Sequence, residues 1–211
     1  MGHATNGHAG GDVAAEGSNE AATSKSARGK LLAAAARVFE MRGATGATTR
    51  QIAEEAGVNE VTLFRLFGSK DALLDAAIHQ QVARERPTPL PEVPVDPESE
   101  VTLWCASELA RLNRSGGLLR QCFAEREGRG DHVQEAGGVM AGCATVLRGY
   151  TERLAASDIV SCKECDAAVS MLVSTIVADA LVRGDVPDVY RVPLDEAPRR
   201  YAQAFLRALA G

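Results

Sequence analysis

Thr48 to Leu74 reads TTRQIAEEAGVNEVTLFRLFGSKDALL, and the fold class turns on how this stretch is punctuated. Thr48 or Thr49 is placed to cap a helix, because a hydroxyl there accepts a hydrogen bond from a backbone N–H that the helix start leaves unpaired. Ile52, Ala53 and Ala56 give that helix one apolar side. Gly57 follows, a residue that tolerates the positive φ of a sharp reversal. Val58 is apolar. Asn59 caps a second short helix, Glu60 to Leu66, whose inner side is Leu63, Leu66 and Phe67. Gly68 stops it, and Ser69 caps a further helix with Ala72, Leu73, Ala76, Ala77 and Val82 inward. Two short helices joined by a tight Ala-Gly-Val turn form a helix-turn-helix, and the small Ala53 and Ala56 let its arms approach closely. The second helix of such a unit fits the major groove of duplex DNA and presents its N-terminal residues to base edges.

Upstream, Lys25 to Met41 has Leu31, Leu32, Ala35, Val38 and Phe39 on one helical face. Arg28, Lys30, Arg37 and Arg42 lie mostly off that face, and Gly43 ends the helix. Residues 1–24 are Gly, Ala, Ser and Asn without periodicity and read as a disordered tail. His3 and His8 there have no companions to complete a metal site. Downstream, five prolines between Pro87 and Pro97 exclude a helix and read as an extended linker. The linker, 87–97, divides a short domain, 25–86, from a longer one, 98–211. Charge divides the same way. The first block carries −3, residues 25–86 carry +3 and residues 87–211 carry −5. The one net-positive block is thus the place to seek an anionic partner.

The whole chain has 211 residues, 45% hydrophobic and 24% charged, which suffices for a packed core. Aromatics are only 4%, so Ala, Leu and Val must fill that core, a composition that favours close-packed helices over sandwiches or barrels. The expected fold is all-α. No apolar run reaches the ~18 residues of a membrane span. The N-terminus lacks the basic start and apolar middle of a signal peptide, so a cytoplasmic location is expected. Five cysteines without an export signal favour reduced thiols over a disulfide framework.

From Glu98 onward the periodicity is helical throughout, over about 98–114, 117–127, 131–156, 163–184 and 194–210. The 163–184 segment is apolar almost all round, from Ala167 and Val169 to Leu181 and Val182, and must be buried on all sides. In a domain this small, a partner subunit is a natural cover. The last helix offers Tyr201, Ala204, Phe205, Ala208 and Leu209 as a second stripe. Cys162-Lys-Glu-Cys165 is a lone CxxC, and His132 with Glu135 lacks further ligands, so no metal is expected. Lys163, near a helix start, is placed to lower a thiol pKa there, which leaves a redox role for Cys162 and Cys165 open.

The Thr48–Leu74 stretch resembles the DNA-binding signature of TetR-family transcriptional regulators. The match runs in register through Thr48, Thr49, Ile52, Ala53, Ala56, Gly57, Val58, Thr62, Leu63, Phe67, Ser69, Lys70, Asp71 and Leu73, and the upstream helix with Ala34, Ala35, Phe39 and Gly43 also fits. It covers about residues 28–75. Asn59 stands where the family commonly has Ser, which keeps the cap. Phe64 stands where Tyr is usual and has no hydroxyl to give a phosphate. Val61 replaces a small residue and can meet a thymine methyl group.

The resemblance implies an N-terminal three-helix DNA-binding domain and a larger C-terminal helical domain for effector binding and dimerisation. It assigns Arg50, Glu60, Val61, Thr62 and Arg65 to base edges or adjacent phosphates. Thr49, Asn59 and Phe64 fall against the sugar-phosphate backbone. Lys70 falls on phosphate at the first turn of the fourth helix, where N–H groups and ammonium both favour an anion. The middle helices would enclose an effector pocket, with Trp104, Cys105, Leu109, Cys122, Phe123, Met140, Cys143, Leu147, Tyr150, Met171 and Thr175 as lining candidates. Each of these also suits a plain core. The last two helices would pair across a twofold axis into a homodimer matching a palindromic operator.

The expected function is therefore a sequence-specific DNA-binding regulator, a repressor released from double-stranded operator DNA by a small-molecule effector. An activator, or a helix-turn-helix module that binds protein without an effector, is the alternative. No phosphate-binding Gly-rich loop, HExxH, GxSxG or di-iron carboxylate set points to an enzyme, and no cofactor or membrane partner is expected.

Overall fold

The computed structural model describes residues 12–84, 86–124, 131–160 and 165–210. Every element among them is a helix: α1 (Asp12–Gly46), α2 (Thr49–Ala56), α3 (Glu60–Phe67), α4 (Lys70–Arg84), α5 (Pro97–Arg114), α6 (Gly116–Ala124), α7 (Asp131–Ala156), α8 (Cys165–Val182) and α9 (Ala197–Ala210). The chain forms two units, one up to Ala77 and one from Ile78, so the division falls inside α4. His3, His8, Cys162 and Lys163 lie outside the described residues.

The N-terminal unit packs α1 against α2 and α3, and α2 against α3. Leu31, Leu32, Ala35, Val38 and Phe39 of α1 are all buried, as their spacing predicts. Gly43 breaks the helical path with φ 68 and ψ 178, and the chain resumes one more turn to Gly46. At its other end α1 is longer than expected. It is helical from Asp12 rather than from Lys25. The added segment contains Ala14, Ala15, Ala21 and Ala22, and alanine is the strongest helix former, which outweighs the scattered Gly and Ser.

The second unit is built around α5 and α8. Helix α5 packs on α8 and α9, α7 packs on α6 and α8, and α8 also packs on α9. Trp104, Leu112, Leu147, Tyr150 and Leu154 are among its largest fully buried side chains. By length and apolarity α8 equals a membrane span, with a mean hydropathy of 1.7 over 18 residues, where the sequence reading found none. Here it lies against α5, α7 and α9, and it carries the buried Asp179. Both carboxylate oxygens of Asp179 accept from Arg183, at 2.7 Å to Nη2, and the Tyr201 hydroxyl of α9 donates to the same group. Nη1 of Arg183 donates to the carbonyls of Tyr190 and Val192 at 3.1 and 2.7 Å, so one ion pair pins the connection leading to α9.

The proline-rich segment is extended, as expected of residues 87–97. It forms a strap held on the second unit. Leu90 is buried, and Trp104 Nε1 donates to the Thr88 carbonyl at 2.9 Å. The Thr88 N–H donates to Glu108 at 2.8 Å, and Arg153 Nε donates to the Pro91 carbonyl at 3.0 Å. Glu100 accepts from the N–H groups of Val95 and Asp96 and from the Tyr150 hydroxyl. An extended chain cannot pair its own backbone groups, so side chains of α5 and α7 do it instead.

Glu108 is the centre of this arrangement. It is fully buried, accepts from Arg111 Nε at 2.8 Å, and accepts from the Cys143 thiol at 3.4 Å. Removing one partner of a buried pair strands the other charge, at a cost of about 3–5 kcal/mol. Glu108→Ala should therefore lower the unfolding free energy by about 3 kcal/mol in urea titration, while Glu98→Ala, on an exposed pair with Arg199, should change it by less than about 1 kcal/mol.

Candidate nucleic-acid interface

The α2–α3 pair is fixed by its ends. Thr48 accepts from the Gln51 N–H at 3.2 Å while the Gln51 side chain accepts from the Thr48 N–H at 3.3 Å, a reciprocal capping box. At the other end Gly57 adopts φ 64 and ψ 38, Gly57 N–H reaches the Glu54 carbonyl at 3.1 Å, and Val58 N–H reaches the Ala53 carbonyl at 3.0 Å. This is a Schellman closure, which needs a left-handed residue at its turn. Asn59 then starts α3 at once, its side chain accepting from Val61 N–H at 2.9 Å. Ile52, Ala53, Ala56 and Leu63 are buried between the arms, whereas Leu66 and Phe67, expected inward, are only half-buried.

On the outer side of this pair the predicted contact residues fall as follows. Val61 is 72% exposed and Phe64 47% exposed, and Arg65 is exposed beside them. Arg50 is exposed and paired with Glu54 at 2.9 Å. That hydrogen bond, then the charges of Glu54 and Glu60, raise the Arg50 pKa above its ordinary value. Thr49 is half-buried and its hydroxyl donates to Glu60, which joins the first turns of α2 and α3. Thr62 is half-buried on α3, and Asn59 is exposed but engaged as the cap. On the leading helix, Arg28 lies over the Phe67 ring at 5.1 Å and Arg37 pairs with Glu55 at 3.0 Å.

Lys70 has a task that residue spacing does not reveal. Its Nζ donates to the carbonyls of Ala44 and Ala47, at 2.6 and 3.1 Å, where α1 ends beyond its Gly43 break. Two of the three ammonium donors are thereby used inside the unit.

The lining candidates of the second unit fall into two groups. Trp104, Cys105, Leu109, Cys122, Cys143, Leu147 and Tyr150 are buried core, with Phe123 and Met140 half-buried. Burial pushes the Cys105 and Cys143 thiols up to about 12, so both are neutral. Met171 and Thr175 stand apart from these. They line a cleft of about 90 Å³ on the α8–α9 face, with Leu172, Tyr201, Ala204 and Phe205, and Met171 is 67% exposed. Missed at the level of sequence were Glu108 and Arg111, whose i, i+3 spacing inside the apolar stripe of α5 was the available signal. Cys105, Cys122 and Cys143 form no disulfide, whereas Cys165 is disulfide-bonded and departs from the expected reduced default.

Residues 31–77 match the family profile of bacterial regulatory proteins of the tetR family. The N-terminal unit is a TetR-family domain. No curated protein matches the chain. Among solved structures, the chain resembles a transcriptional regulator from Rhodococcus sp. at 19% identity, with a TM-score of 0.65, covering 86% of this chain and 95% of that one. A tetR-family regulatory protein from Rhodococcus gives 18% identity and a TM-score of 0.63, with 87% and 97% covered. The fatty acid degradation regulator FadR from Bacillus halodurans gives 16% and 0.63, with 87% and 96% covered. These likenesses are of fold, and they extend beyond the TetR-family domain into the second unit.

The position of Lys70 yields a measurable consequence. Lys70→Met keeps the aliphatic stem but leaves two carbonyls without their donor, and it should destabilise the N-terminal unit by about 1–3 kcal/mol. Arg65→Ala, on an exposed side chain, should stay within about 0.5 kcal/mol of the parent. Thermal unfolding followed by circular dichroism distinguishes the two.

Proposed function

We propose that this chain is a sequence-specific transcriptional repressor that binds a palindromic operator as a homodimer and is released by a small-molecule effector. The observation that carries the reading is the Schellman-closed turn at Gly57, which holds α3 with Val61, Phe64 and Arg65 on its outer side. A rigidly held short helix with an exposed outer side is what insertion into a major groove requires. The TetR-family match over residues 31–77 supports the same assignment.

Dimerisation through α8 and α9 is supported by the half-open apolar cleft on that face, where Met171 protrudes beside Ala204 and Ala208. Two copies double the phosphate contacts of a modestly basic domain and match a twofold-symmetric site. The effector acts by preferring a conformation in which the two reading helices no longer meet successive major grooves. Such coupling requires different effector affinity in the two states. The buried core around Trp104, Glu108 and Cys143 is the region assigned to it, and the cytoplasm is the compartment in which the protein meets DNA.

Gel-shift titration on the promoter of its own gene, across a salt series, tests this. Log affinity should fall linearly with log salt, and Arg65→Ala should reduce that slope by about 1. Met171→Glu should shift the sedimenting species from dimer to monomer and weaken operator binding with it. Binding that ignores salt would contradict the proposal.

A further inference from the structure

Two large exposed side chains of α3 are apolar, Val61 at 72% and Phe64 at 47%. Three residues apart on a helix, they stand side by side with Cβ atoms about 5–6 Å from each other. Several polar residues beside them are engaged within the domain. Asn59 caps the Val61 N–H, the Thr49 hydroxyl holds Glu60, and Arg50 pairs with Glu54. What the first turns of α3 offer outward is therefore largely an apolar patch, flanked by the exposed cations Arg50 and Arg65.

We propose that Val61 and Phe64 read thymine, through contact with its C5-methyl group in the major groove, Phe64 turning from the backbone position the family resemblance implies because it has no hydroxyl to give a phosphate, and that the operator half-site carries thymines at the base pairs these two residues meet. The inference rests on the DNA-binding reading above and adds what is recognised. The thymine methyl is the one apolar group on the major-groove edge of the bases. An apolar side chain pressed on the N4 amino group of cytosine, or on N7 and O6 of guanine, would strip water from those atoms and return no hydrogen bond. Flanking cations favour a polyanion over an apolar protein surface as the occupant of this patch.

The test uses the full-length protein and a duplex selected from a random pool. Each thymine of the bound half-site is replaced in turn by deoxyuridine, which keeps every hydrogen-bonding group and removes only the methyl. Affinity should fall about fourfold for each contacted methyl. Val61→Ala should lose sensitivity to uracil at one position and keep it at the other, and Phe64→Ala the reverse. A specifically bound duplex whose affinity is unchanged by uracil at every position overturns the inference while leaving DNA binding intact. Retention without sequence preference overturns it also. Failure to retain any duplex overturns the DNA-binding reading itself, and this inference with it.

Discussion

The left-handed turn at Gly57 is the constraint on which the N-terminal unit depends. It closes α2 through two backbone hydrogen bonds and starts α3 three residues later, with Asn59 already capping. With so few residues between the arms, the angle of α3 follows from backbone geometry and from the packing of Ala53, Ala56 and Leu63. A side chain at position 57 would meet no neighbour within 4 Å, so the need for glycine is conformational and not steric crowding. Lys70 completes the frame by bonding two carbonyls at the end of α1.

Around this frame, polar side chains pair with one another within the domain. Thr49 joins Glu60, Arg50 joins Glu54 and Arg37 joins Glu55. The exposed pairs contribute little stability each, about 0–1 kcal/mol, and can be exchanged for phosphate at small cost. The exposed Val61 and Phe64 cannot find a partner in this way, which is why the proposed thymine contacts are assigned to them. In the second unit the polar groups are buried instead, as Glu108 with Arg111 and Asp179 with Arg183. Each ties an irregular segment to a helix: the strap through Thr88, and the α8–α9 connection through Tyr190 and Val192.

Much of the architecture was legible because it is written in local residues. Thr48, Gly57, Asn59 and Gly68 each act at a helix end through their own backbone or a neighbour's N–H, and the α1 stripe follows from a 3.6-residue period. What was not legible depends on contacts distant in sequence. Prolines 87–97 exclude a helix, but nothing in their spacing announces that Glu108, Trp104 and Arg153 will hold them. Lys70 looks like any surface cation until the end of α1 is folded beside it. Met171 and Thr175 share the apolar character of Leu147 and Tyr150, or its near equivalent, yet α8 is apolar on every side, so periodicity could not say which face they take. The cleft they line on the α8–α9 face is a product of packing alone.

The central claim is that α3 enters the groove of a duplex, and cross-linking from that helix tests it most directly. Benzoylphenylalanine placed in the full-length protein at Val61, or at the equally exposed Val93 of the strap as a control, would be irradiated with a retained duplex. The account predicts a covalent DNA adduct from position 61, suppressed by high salt, and none from position 93. Adducts of equal yield from both positions, or none from position 61 while the duplex remains bound, would contradict it.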